Sequence, residues 1–329
     1  MVRADLLINL VRFGLSHDSV HFKSTVETLI SEERAIQHNI LADRLENILE
    51  SGEKSPSISE SLVSYSRQES EYYQEIKPRR KCSDLILPFD VRELCKDLIA
   101  EQHRVSLLRA YNLEPRNRIL MVGPPGNGKT SLAEGIAESL SVPLIVVKYE
   151  GIVGSYLGET ASRIRKVMDY AKTRKCVLFF DEFETLGKER GDIHETGEIK
   201  RVVSSLLLQI DSLPSHVVVI GATNHEELLD RAVWRRFQIR MELPPPDKDG
   251  IKLWLEAFER KSNISFGIPV SSLASELLPY KMSFAEVEEF GVTVLRQYVL
   301  RGPDANMKNI LYHNLEMLKH KVNVRYMSQ

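Results

Sequence analysis

Between residues 82 and 243 the chain alternates short unbroken apolar runs with helical patterns of apolar and polar positions. The runs Ile119-Leu120-Met121-Val122, Leu144-Ile145-Val146-Val147, Cys176-Val177-Leu178-Phe179-Phe180 and Val217-Val218-Val219-Ile220 carry no polar alternation. Continuous apolar runs of this length predict parallel strands buried on both faces. With helices between them they predict a doubly wound α/β core with a parallel sheet. The triple proline Pro244-Pro245-Pro246 stops the pattern, because proline ends regular ladders and helices alike. Residues 247–321 then read as four helices, around Trp254, Leu277, Val287 and Leu315, forming a smaller helical domain.

The first fifty residues carry three helical stripes: Leu6, Leu7, Leu10 and Phe13; Phe22, Val26, Leu29 and Ile30; and Ile36, Ile40, Leu41, Leu45, Ile48 and Leu49. Gly14 and Ser16 punctuate the first break, with Ser16 or Asp18 as the cap of the second helix. The pattern predicts a two- or three-helix antiparallel module, either a packing domain or an adaptor for a partner. Residues 51–81 change character: serines crowd positions 51 to 70 around Gly52 and Pro56, which reads as a linker. It ends in Lys77-Pro78-Arg79-Arg80-Lys81, expected as a solvated basic end. The organisation expected is therefore 1–50 helical module, 51–81 linker, 82–243 α/β domain and 244–329 helical domain.

Composition narrows the class. A 329-residue chain with 43% hydrophobic and 27% charged residues is an ordinary globular one, and its formal net charge of −2 argues against a nucleic-acid partner. No apolar run is long enough to cross a bilayer. Arg3, Asp5 and Asn9 interrupt any secretion signal, and Cys82, Cys95 and Cys176 are spaced like reduced thiols, which predicts a cytoplasmic protein. The histidines show no zinc-binding spacing.

The candidate chemistry starts at Gly123-Pro124-Pro125-Gly126-Asn127-Gly128-Lys129-Thr130, between a predicted strand and the helix that opens at Ser131-Leu132-Ala133. Strand, glycine-rich loop and helix make a phosphate cradle: backbone N–H groups turn inward, and the helix N-terminus favours negative charge. Lys129 is expected to reach the β- and γ-phosphates of a nucleoside triphosphate and Thr130 to ligate Mg²⁺. Asp181-Glu182 ends the strand Val177–Phe180. In a phosphate-loop protein the first acid holds Mg²⁺ and the second orients or deprotonates the attacking water.

These motifs resemble those of the AAA+ ATPases, and within them the AAA clade of katanin, spastin and Cdc48-like enzymes, over about residues 82–321. Residues 123–130 are similar to the Walker A motif and Asp181-Glu182 to Walker B. Ala222-Thr223-Asn224 resembles sensor 1, which implies that Asn224 positions the water and senses the γ-phosphate. The segment from Leu229 to Phe237 resembles the one that presents arginine fingers, which implies that Arg235 and Arg236 reach the ATP of a neighbouring subunit. The resemblance further implies a homo-oligomeric, hexameric ring, closed by a heterologous interface. Gly154-Ser155-Tyr156-Leu157-Gly158-Glu159-Thr160 resembles pore loop 1, with Tyr156, Leu157 and Gly158 facing a channel; residues 188–195 lie where a second pore loop would. Ala285, in Met282-Ser283-Phe284-Ala285, falls in the turn that touches the nucleotide in the clade, where Phe284 replaces a glycine and no sensor 2 arginine follows.

Three functions follow from the resemblance, in decreasing order of support. The first is an ATP-driven ring that remodels, unfolds or disassembles proteins, with Tyr156 gripping the polypeptide. The second is an ATP-dependent, antitoxin-like switch that controls a partner without threading it. Small bacterial AAA proteins of similar layout are encoded beside subtilisin-like serine proteases, so that partner would be such a protease bound through residues 1–50. The third is a DNA-linked initiator or clamp loader, disfavoured by the charge balance. A GTPase is less supported still, because no Asn-Lys-x-Asp motif appears.

Overall fold

The computed structural model describes residues 6, 9–10, 12–13, 19–35, 38–51, 71–148, 152, 157–186, 205–229, 231–302 and 305–327. Its core is a six-stranded sheet of β1 (Tyr73–Ile76), β2 (Arg118–Val122), β3 (Leu144–Val147), β4 (Cys176–Phe180), β5 (Val217–Thr223) and β6 (Ile239–Glu242), in the order β1-β3-β4-β5-β2-β6. All neighbouring pairs are parallel except the antiparallel edge pair of β1 with β3. The protein is thus a mixed α/β structure with a parallel-dominated sheet.

The apolar runs are continuous because successive residues feed opposite faces of the sheet, and helices cover both. On one face Leu120, Ile145, Leu178, Phe180 and Val219 pack against Ile164, Val167 and Met168 of helix Leu157–Lys172 and against Leu206 and Ile210 of helix 205–211. On the other, Ile119, Met121, Val177, Phe179 and Ile220 pack against Val91, Cys95 and Leu98 of helix Phe89–His103 and against Leu132 and Ile136 of helix Lys129–Leu140. Each fully buried side chain of this size contributes about 1.5–3 kcal/mol, so the two clusters fix the sheet that carries the site. Burial also pushes the Cys95 and Cys176 thiols up to about 12, and the three cysteines are free.

The stretch read as linker needs correction at its C-terminal end. Tyr73–Ile76 is an edge strand, registered Tyr73 to Val147 and Ile76 to Leu144. Tyr73 stacks on Tyr170 with ring centroids 4.4 Å apart, and the Tyr170 hydroxyl donates to Glu75 Oε2 at 2.6 Å. Nor is the basic run solvated throughout. The backbone N–H groups of Arg79 and Arg80 both donate to Glu134 Oε1, at 2.9 and 3.2 Å, and Lys77 pairs with Asp43. The serine-rich residues 52–70 lie outside the described residues.

In the N-terminal region, helices Ser19–Ala35 and Asn39–Ser51 pack through Val26, Ile30 and Ala42, with Leu10 and Leu45 alongside. Leu7 and Ile36, from the expected stripes, fall outside the description. The pair docks on the C-terminal end of helix Lys129–Leu140. Arg44 donates to Glu138 Oε1 at 2.7 Å, to the Glu138 carbonyl at 3.2 Å and to Ser141 Oγ at 2.9 Å, while His38 Nε2 lies 3.1 Å from the Ser141 carbonyl. A cation on the last carbonyls of a helix is where the macrodipole favours it.

After the prolines, helices Lys248–Ser262, Val270–Leu277, Phe284–Arg301 and Met307–Met327 bury Leu255, Leu273, Val287, Phe290, Ile310 and Leu315 together. Asp247 caps the first of them through Gly250 N at 2.7 Å. Ser283 and Glu286 form a reciprocal capping box on the third. No helix among the described residues is long and apolar enough to cross a membrane.

Candidate active site

Three adjacent parallel strands, β4, β5 and β2, end on the same edge of the sheet. The carboxyl edge of a parallel sheet is where open α/β folds place ligands. β2 delivers the loop 123–128, β4 delivers Asp181 and Glu182, and β5 delivers Asn224. Sequence positions 42 to 101 residues apart are thereby brought to one place.

Local backbone geometry explains the glycines at the ends of the loop. Gly123 has φ +151°, and a Cβ there would lie 2.2 Å from the Leu243 carbonyl oxygen. Gly126 and Gly128 have φ +78° and +85°, left-handed values that side chains disfavour. Helix Lys129–Leu140 starts immediately afterwards. The Lys129 side chain is only 7% exposed, and its ammonium donates to the carbonyls of Gly123 (2.7 Å) and Pro124 (3.0 Å) and to Asn224 Oδ1 (2.6 Å). Burial lowers its pKa below the usual lysine value, against the opposing pull of Asp181 and Glu184.

Thr130 Oγ1 donates to Asp181 Oδ2 at 3.1 Å. A hydroxyl and a carboxylate this close are hard oxygen donors of the kind Mg²⁺ takes alongside water and phosphate, so the residues fit that ion. Glu182 has φ +46°, a left-handed strain of about 1–2 kcal/mol in a residue other than glycine. Its N–H donates to Asp181 Oδ1 at 3.0 Å, and its side chain is exposed at the site edge. Strain of this kind gathers where function fixes a side chain against local preference.

Other expected residues are placed less centrally. Ser131 receives a hydrogen bond from the Arg80 guanidinium. Ala285 is the second residue of helix Phe284–Arg301 and touches the loop through its N–H, which donates to the Gly126 carbonyl at 3.0 Å. Pro124, Pro125 and Asn127 form the loop apex. Arg236 is held by Asp211, its Nε 2.8 Å from Oδ2, and Asp211 also takes Arg118 at 2.5 Å. Arg235 is exposed and its guanidinium has no hydrogen-bond or ion-pair partner among the described residues. Tyr156 and residues 188–195 lie outside the described residues; Leu157 and Gly158 open helix Leu157–Lys172.

Sequence reasoning missed Glu184. It is 3% exposed, with Oε1 accepting from Asn224 N at 3.4 Å and Oε2 without a partner among the described residues. Its place two residues after Glu182 was the available signal. It also missed Arg80 and Asp211, whose partners are remote in sequence.

Comparison with known proteins identifies the family. Residues 119–245 match the family described as "ATPase family associated with various cellular activities (AAA)". A protein of Sinorhizobium fredii named "Uncharacterized AAA family ATPase y4kL" is 33% identical over 305 residues, covering 91% of this chain and 90% of its own. The chain belongs to the AAA family of ATPases. The chain is therefore an ATPase, an enzyme that hydrolyses ATP. Two further AAA relatives are similar over shorter spans. The "Cell division cycle protein 48 homolog" of Archaeoglobus fulgidus is 34% identical over 60% of this chain and 28% of its own length. A Corynebacterium diphtheriae protein named "AAA ATPase forming ring-shaped complexes" is 35% identical over 53% of this chain and 38% of its own.

Proposed function

We propose that this AAA ATPase works as a homo-oligomeric, hexameric ring that uses ATP hydrolysis to remodel other proteins. The observation that carries the reading is the contrast between a hydrolytic set assembled within one chain and an exposed Arg235 with no partner among the described residues. Lys129, Thr130, Asp181, Glu182 and Asn224 supply binding, ion ligation, a base and a water-orienting amide. No second cation for the γ-phosphate stands among these residues. A neighbour's Arg235, with Arg236 beside it, supplies that charge, an effect worth about 10³–10⁵ in rate in related phosphate-loop enzymes. The ring-forming and Cdc48-named relatives support the assembly and the remodelling role.

In this reading Lys129 leaves the loop carbonyls for the β- and γ-phosphates. Thr130 and Asp181 hold Mg²⁺, which offsets phosphate charge when bound. Glu182 accepts the proton of the attacking water that Asn224 orients, and the bond from the γ-phosphorus to the bridging oxygen breaks to give ADP and phosphate. Tyr156, with Leu157 and Gly158, grips the substrate polypeptide by apolar contact, which tolerates diverse sequences. The helices before residue 51 recruit the partner protein.

The test is Glu182→Gln with MgATP. The reading expects ATP to stay bound, phosphate release to fall by at least about 100-fold, and particles of six subunits in mass photometry. Wild-type turnover, or monomers under every nucleotide condition, would overturn it.

A further inference from the structure

The loop and the helical C-terminal region meet at three points that nucleotide chemistry does not require. The Phe284 N–H donates to Asn127 Oδ1 at 3.2 Å, and the Ala285 N–H donates to the Gly126 carbonyl at 3.0 Å. A Cβ on Gly126 would lie 2.8 Å from Ser283 Oγ and 3.1 Å from the Ala285 methyl. Phe284 and Ala285 are the first two residues of helix Phe284–Arg301, whose leading N–H groups have no acceptor within the helix. The loop apex supplies two of those acceptors.

Asn127 is the unusual member. It is 4% exposed, and its Nδ2 is buried with no partner among the described residues. An N–H can only donate, so the Phe284 contact fixes Oδ1 toward the helix and leaves Nδ2 as the unmatched end. A buried amide satisfied at one end only needs an explanation beyond folding.

We propose that Asn127 is a positioning residue, a latch that holds the helical C-terminal region to the phosphate-binding loop and passes movement of the loop on nucleotide binding to helix Phe284–Arg301. Oδ1 holds the helix, and Nδ2, buried and unmatched among the described residues, leaves that hold at a single side-chain hydrogen bond that movement of the loop can shift. The inference deepens the ATPase reading, because it assigns how occupancy of that site reaches the part of the chain that would carry motion to a neighbour.

The test is single-molecule energy transfer between fluorophores at the exposed positions Lys96 and Glu316, with labelled chains diluted in unlabelled protein. Without nucleotide, the wild type should give one narrow distribution, and saturating MgADP should shift it. Asn127→Ala should broaden the first and abolish the shift. Asn127→Asp, which keeps an oxygen for the Phe284 N–H, should keep the nucleotide-free distribution narrow. Phe284→Pro deletes the donor at a position where proline suits a helix start, after a Ser283 already extended at ψ 164°. It should match Asn127→Ala, whereas Phe284→Ala, which keeps the N–H, should match the wild type. The nucleotide-free measurement needs neither hydrolysis nor a ring, so its outcome is separable from the function proposed above. A narrow, nucleotide-responsive distribution in Asn127→Ala would overturn the latch. So would a wild type that does not respond to MgADP, or Phe284→Ala behaving like Phe284→Pro.

Discussion

The Lys129 ammonium donates to Asn224 Oδ1 across 2.6 Å and so joins the phosphate-binding loop to the end of β5. The contact gives the two residues separable duties. In the proposed function Lys129 carries the charge that ATP needs to bind, and Asn224 carries the amide that orients water. Asn224→Ala is expected to lower kcat by about 100-fold, the order seen when one transition-state donor is removed, with a much smaller change in KM for ATP. Lys129→Ala is expected to abolish ATP binding at micromolar nucleotide. Steady-state kinetics and a fluorescent-nucleotide titration read the two effects.

Lys129 also predicts a cost of function to stability. Burial lowers its pKa below 10.5, so the folded state binds its proton less readily than the unfolded chain does. Wild-type stability should therefore rise, relative to Lys129→Met, as pH climbs from the lowered folded value toward 10.5. At neutral pH this cost offsets part of what the three hydrogen bonds of the ammonium contribute, and Lys129→Met should fail to bind ATP. Urea unfolding of both proteins across that range checks the sign.

The loop glycines should not be equivalent. Gly123→Ala drives a methyl into the Leu243 carbonyl at 2.2 Å, which only backbone movement relieves. Gly128→Ala meets no atom within 4 Å and bears only the left-handed φ of +85°, about 1–2 kcal/mol. Thermal unfolding should show Gly123→Ala losing markedly more stability than Gly128→Ala.

Arg44 is expected to hold the N-terminal helices on the ATPase core. Arg44→Ala removes three hydrogen bonds to Glu138 and Ser141, and the ion pair among them is partly buried. A loss of about 1–3 kcal/mol in docking follows. Hydrogen exchange should speed up in residues 39–46 while the sheet stays protected.

These expectations rest on parts of the molecule that differ in how far sequence discloses them. Strands β2 to β5 are legible because both faces are buried and every position in them other than Arg118 at the start of β2 and Thr223 at the end of β5 is apolar. β6 is not, because Ile-Arg-Met-Glu alternates buried and exposed positions at the sheet edge, and β1 hides behind a serine-rich stretch with four half-buried residues. Lys129, Thr130, Asp181, Glu182 and Asn224 are legible because each motif carries its chemistry in adjacent residues. The hold of Asp211 on Arg236, the Arg80 contact to Ser131, the burial of Glu184 and the Asn127–Phe284 hydrogen bond are not. Each joins residues at least 25 positions apart or depends on packing that no local pattern encodes.

The central claim is that hydrolysis needs an arginine from a second chain. Lys129→Ala is expected to lose ATP binding but keeps its arginines, and Arg235→Ala is expected to bind ATP but lacks the exposed one. ATPase activity of the two variants mixed in equal amounts tests the claim most directly. The account predicts activity well above the mean of the two variants assayed alone, because Arg235 of one chain completes the site of the other. Activity equal to that mean at every mixing ratio would contradict it.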